Sequence, residues 1–125
     1  MQTILVVDDD DDIREGFAEL LRNAGYDVYE AENGREALEK LAERDEPCLV
    51  LMDVMMPEMG GADLLDALER ENRRDSVKVV ALSAADCVHT VHKADRFLPK
   101  PVLPEQLLAE VGRHCEPCDP RSYVS

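Results

Sequence analysis

No apolar run in this chain of 125 residues approaches the roughly 20 that a membrane-spanning helix needs. Insertion into a bilayer is therefore not expected. The amino terminus carries no basic flank ahead of its first apolar run, so a secretory leader is not expected either. Positive charge is scarce: 14 Lys and Arg stand against 28 Asp and Glu, a formal net charge of −14. That balance argues against direct contact with nucleic acid or anionic membrane, and for cationic partners or metal ions. Cysteine is limited to four residues. With nothing secretory around them, they are expected as reduced thiols in the cytoplasm. Repeats and low-complexity segments are absent, apart from one run of aspartates. What remains, 45% hydrophobic and 34% charged, is the composition of a soluble globular protein with a single core.

Apolar runs alternate with amphipathic stretches throughout. Thr3–Val7, Asp27–Glu30, Cys48–Met52, Val77–Leu82 and Arg96–Leu98 read as strands. Three of them lack in/out alternation, as expected of a parallel sheet covered on both faces. Between them, Ile13, Phe17, Leu20, Leu21 and Ala24 follow a helical period, and Gly25 offers a left-handed stop. Ala37, Leu38 and Leu41 form a second stripe, Leu64, Leu65 and Leu68 a third, and Leu107, Leu108 and Val111 a last one. Pro104 suits the first turn of that last helix. The crossover at Asp86–His92 is weakly patterned, which implies a short or irregular fourth helix. These alternations predict a doubly wound α/β fold with helices on both faces of a five-stranded parallel sheet. Residues 1–114 form the domain, and 115–125, with two prolines and little periodicity, read as a tail.

Ligands of such folds bind beyond the carboxyl ends of the strands, and acids stand there. Asp8 and Asp9 follow the first strand in ILVVDDDDD, and Asp53 follows the third in LVLMDVMMPEMGG. If those strands are neighbours, three carboxylates converge and require a cation or protons. An all-oxygen, partly hydrated site suits Mg²⁺, and Asp53 heads a loop from which a carboxylate could take a phosphoryl group. Ser83 ends the fourth strand and Lys100 follows the fifth. A hydroxyl and an ammonium there would complement phosphoryl oxygens. Acid runs more often serve as solvated faces or helix caps. Asp10 as N-cap, with Asp11 and Asp12 at the positive end of the helix dipole, fits that simpler role. A lone strand-end Ser or Lys is usually a turn or surface residue. The chemical reading rests on all four features occurring at the ends of different strands.

Taken together and in order, ILVVDD, LVLMDVMMPEMGG, Ser83 and FLPKP resemble the receiver domain of two-component response regulators, over about Thr3 to Gly112. The resemblance implies the flavodoxin-like strand order 2-1-3-4-5. It makes Asp53 the phosphoacceptor, with Mg²⁺ held by Asp8, Asp9, Asp53 and the backbone carbonyl of Met55. It gives Lys100 and Ser83 to the phosphoryl group, and Ser83 and Phe97 to the conformational switch. A histidine kinase or phosphotransfer protein would be the donor and an unidentified protein the target. The chain would be a single-domain regulator that assists its own phosphorylation, not a turnover enzyme.

This sequence departs from the family pattern on the signalling face. The segment from Ser83 to Lys100 is short, Lys93-Ala94 replaces the frequent Gly-Ala, and Val102 stands where Phe often follows Lys-Pro. Met55 and Ala85, two residues beyond Asp53 and Ser83, cannot orient a hydrolytic water, so a long-lived phosphoryl group is expected. His89, His92 and the HCEPC stretch (His114 to Cys118) lack zinc spacing and read as incidental surface residues, with Cys48 and Cys87 as packing. Two other functions compete. One is a receiver-like interaction module that is not phosphorylated. The other is a Mg²⁺-dependent phosphatase, disfavoured because Met55 stands where a general acid would be wanted.

Overall fold

The five apolar runs become β1 (Thr3–Val7), β2 (Asp27–Ala31), β3 (Cys48–Asp53), β4 (Val77–Ser83) and β5 (Arg96–Pro99). They belong to a computed structural model that describes residues 3–43, 48–53, 66, 70, 77–83, 96–99 and 102–114. The strands form one sheet in the order β2-β1-β3-β4-β5, and every neighbouring pair is parallel. This is the expected order. Four strands run one residue further than the apolar pattern suggests, so Asp53 ends β3 instead of following it, and Ser83 closes β4. Pairing with a neighbour extends each: Asp53 lies opposite Leu82, and Ser83 opposite Pro99.

Both faces are covered, which is why the strands are apolar without alternation. Leu5, Val7, Val50, Met52, Val79 and Ala81 point to one face, where Ala37 and Leu41 of α2 (Gly34–Ala42) close over them. Ile4, Val6, Leu49, Leu51, Val80 and Leu82 point to the other. There they meet Ala18 and Leu21 of α1 (Asp11–Asn23) and Leu107 and Val111 of α3 (Pro104–His114). Each of these helices has a local start signal. The Asp10 carboxylate accepts from the amides of Asp12 and Ile13 at 3.0 and 3.3 Å. Asn33 does the same for Glu36 at 2.9 Å. At α3 the Gln106 side chain reaches back to accept from the Leu103 amide at 3.0 Å. After α1 the chain turns at Gly25, whose φ of 99° is unfavourable for any residue with a Cβ.

The inner face of α1 differs from the expected apolar stripe. Arg14, Ala18 and Leu21 are its buried residues, while Ile13 is 41% exposed. Phe17, Leu20 and Ala24 pack at the margin. The third helical stripe and the Asp86–His92 crossover lie outside the described residues, although Asp66 and Arg70 are helical. Ion pairs tie the elements together. Glu110 of α3 is 4% exposed and accepts from Arg96 of β5 through both oxygens, each at 3.1 Å. His114 lies 2.8 Å from Glu110 Oε2, so this histidine is a partner within α3 and not an incidental surface residue. At β2, an outermost strand, Arg22 donates to the Val28 carbonyl at 2.9 Å, and Lys40 donates to the Glu30 carbonyl.

Candidate functional site

Parallel pairing brings the carboxyl ends of all five strands to one edge. Val7 of β1 lies opposite Met52 of β3, so the next residues, Asp8 and Asp53, stand abreast. Carboxylate oxygens of Asp8, Asp9 and Asp53 all lie within 4.8 Å of one another. Among the described residues this is the one cluster of three or more potential metal-ligating side chains. Asp8 is 2% and Asp53 6% exposed, whereas Asp9 faces solvent. Two buried carboxylates within 4.8 Å repel by roughly 3 kcal/mol at an effective dielectric near 20. The site is therefore built for positive charge.

The chain around Asp8 is held from several sides. Its amide donates to Ala31 O at 3.1 Å, and its Oδ1 accepts from the Asp10 amide at 2.9 Å. Its carbonyl accepts from Arg14 Nη1 at 2.9 Å. The Arg14 side chain is only 9% exposed and also donates Nη2 to Asp11 Oδ1 at 2.6 Å. Its Nε lies 3.4 Å from Glu30 Oε1 on β2. Burial would lower the pKa of this guanidinium, but the hydrogen bond to Asp11 and the charges of Asp11, Glu30 and Glu32 raise it above its usual value. Arg14 is thus a permanent cation behind the acidic turn.

Three carboxylates offer an all-oxygen donor set, partly open to water at Asp9. That set fits a small hard cation that keeps water ligands, and Mg²⁺ is the ion with those demands. The remaining expected residues are placed less fully. Ser83 ends β4 at the same edge, and Phe97 lies in β5 opposite Ala81. The side chains of both fall outside the described residues, as do Met55 and Lys100 altogether; Pro99, just before Lys100, ends β5 at this edge. The HCEPC residues after His114, together with His89 and His92, lie outside them too. A groove of about 740 Å³ opens between α1 and the start of α3. Ile13, Gly16, Phe17, Leu20, Leu82 and Val102 are among its lining residues.

Sequence reasoning missed Arg14 and Glu110. A signal for each existed: Arg14 shares a helix face with Ala18 and Leu21, four and seven residues on, and Glu110 with Leu107, three residues before it. Their charge concealed their position.

Residues 4–112 match the response regulator receiver domain. The chain belongs to that family. This receiver is 40% identical over 113 residues to the response regulator MprA of Mycolicibacterium vanbaalenii, an overlap of 86% of this chain and 48% of that one. It thus spans about half the length of that curated relative. Its fold is that of the chemotaxis response regulator CheY4 of Vibrio cholerae, with a TM-score of 0.80, 30% identity and coverage of 90% and 98% of the two chains. It also matches the response regulator TrrA of Thermotoga maritima, solved in complex with Mg(2+)-BeF. There the TM-score is 0.78 at 30% identity, again over 90% and 98% of the chains. The receiver is therefore a component of two-component signalling. No helix among its described residues is long and apolar enough to cross a membrane.

Proposed function

We propose that this receiver takes a phosphoryl group onto Asp53 from the phosphohistidine of a histidine kinase or phosphotransfer protein, and so switches a surface read by a target protein. The observation that carries this reading is the convergence of Asp8, Asp9 and Asp53, whose oxygens lie within 4.8 Å of one another. Asp8, Asp9, Asp53 and the Met55 carbonyl would hold Mg²⁺, which when bound offsets negative charge on the phosphoryl oxygens. An Asp53 carboxylate oxygen forms a bond to phosphorus as the P–N bond of the donor breaks. The electron pair of that bond returns to the imidazole nitrogen. Lys100 and Ser83 offer an ammonium and a hydroxyl to the remaining oxygens. The product carries almost two added negative charges, to which Ser83 and Phe97 respond. Residues 1–114 form the receiver unit, with 115–125 as its tail. The apolar groove between α1 and α3 supplies a surface on which a donor's helix can rest while its phosphohistidine reaches Asp53. No substrate is turned over; the phosphorylated receiver is itself the signal.

The test is phosphorylation with acetyl phosphate and Mg²⁺, followed by intact-mass analysis and peptide mapping. One phosphoryl group at Asp53 is expected, absent in Asp53→Ala and in excess EDTA. Protein that takes no label, or label that survives in Asp53→Ala, overturns the assignment. Continuous release of phosphate from many monoesters would indicate a phosphatase instead.

A further inference from the structure

The acid pair is supported from behind by a cation that nothing in the phosphoryl chemistry requires. Arg14 uses its three guanidinium nitrogens in three directions. Nη1 donates to the Asp8 carbonyl at 2.9 Å, Nη2 to Asp11 at 2.6 Å, and Nε faces Glu30 of β2 at 3.4 Å. The Asp8 carbonyl belongs to the peptide that joins Asp8 to Asp9, so its direction sets how the two carboxylates are presented. The Asp8 amide is meanwhile fixed by Ala31 O of the same neighbouring strand. Arg14 and β2 together clamp both sides of Asp8.

We propose that Arg14 is a positioning residue for the divalent ion: it orients the Asp8–Asp9 peptide so that both carboxylates meet Asp53. This rests on the Mg²⁺ site described above. Electrostatics alone predicts the opposite role, because a buried cation behind three acids should repel Mg²⁺. Geometry and charge therefore give different signs for the same substitution. Lysine keeps the charge but gathers its donors on one nitrogen at the end of a flexible stem, and cannot reproduce a three-way planar fork. Substituting groups that orient metal ligands commonly weakens metal binding 10–100-fold.

Calorimetric titration of metal-free protein with MgCl₂ decides the matter, on wild type, Arg14→Lys, Arg14→Gln and Asp53→Asn. Arg14→Lys is expected to weaken Mg²⁺ binding by about tenfold. Its half-saturating Mg²⁺ for phosphorylation by acetyl phosphate should rise in step, while its rate at saturating Mg²⁺ stays near wild type. Arg14→Gln is expected to weaken binding despite the lost positive charge. Unchanged affinity in Arg14→Lys, or tighter binding in Arg14→Gln, overturns the proposal and leaves Arg14 as a stabilising contact only. Loss of Mg²⁺ binding in Asp53→Asn with unchanged affinity in Arg14→Lys sinks this inference and spares the receiver site. A wild type that binds no Mg²⁺ sinks both. If the Arg14 variants fail to fold, the Arg14 Nε–H resonance of the wild type is followed through the titration by NMR. It should shift with the same half-saturation as the binding heat, and an unmoved signal refutes the coupling.

Discussion

Replacing Glu110 by Gln removes the charge at the junction of β5 and α3 with little change in shape. Glu110 is 4% exposed and accepts from Arg96 at 3.1 Å through each oxygen, with His114 Nε2 at 2.8 Å. Breaking a fully buried pair costs about 3–5 kcal/mol. Arg96, however, is 45% exposed on its side chain, so water takes over once the carboxylate is gone, and its share falls to that of a surface pair, about 0–1 kcal/mol. The better shielded contact with His114, 14% exposed, adds about 1 kcal/mol. Glu110→Gln should then destabilise by about 1–2 kcal/mol at pH 7. The pH dependence has a definite sign. Burial would raise the Glu110 pKa, but the hydrogen bonds from His114 and Arg96 and their charges lower it below its usual value. A carboxylate depressed in the folded state stabilises fully above its unfolded pKa, about 4.3. It loses that contribution as pH falls through the folded value. Urea unfolding of wild type and variant at pH 7, 5.5, 4.5 and 3.5 measures the difference. The difference should shrink from pH 5.5 to pH 3.5, with unchanged m-values. A gap that is absent at pH 7, or that widens between pH 5.5 and pH 3.5, refutes the reasoning.

Two other perturbations follow from local geometry and chemistry. Gly16 lies inside α1, and a Cβ built there meets nothing within 4 Å. Gly16→Ala should therefore raise stability by about 0.5–1 kcal/mol in thermal unfolding, and a lower melting temperature would show that the groove cannot take a methyl group. On the family pattern, the Met55→Asn, Ala85→Glu double variant offers a hydrolytic water two polar side chains that wild type lacks. Loss of the phosphoryl group, followed by mass spectrometry after donor removal, should be faster than in wild type; an equal half-life dismisses that reasoning.

The strands and the acids at their ends were legible because they rest on period and composition, whereas the strand order came from the resemblance to the receiver family. Buried apolar runs such as LVLM announce a strand covered on both faces, and Asp8 and Asp53 follow from where such runs stop. The ends of β3 and β4 were read one residue short because hydropathy stops at the first polar group, Asp53 or Ser83. Backbone pairing does not: Asp53 continues the ladder opposite Leu82. The inner face of α1 was misread for a related reason. Its apolar period admits Ile13, but the helix is rotated to bury Arg14, whose donors are matched by Asp8, Asp11 and Glu30. Two of those partners, Asp8 and Glu30, lie outside α1, and no pattern within the helix could anticipate them. Glu110 was hidden likewise, since Arg96 reaches it from another element.

A parallel sheet that ends in an open strand invites another chain to continue it. Along β2 that invitation is withdrawn by Arg22 and Lys40, whose side chains occupy the Val28 and Glu30 carbonyls. An incoming segment would have to displace two cations to gain two hydrogen bonds, a poor exchange. This flank of the molecule is thereby guarded against strand addition and fibre growth.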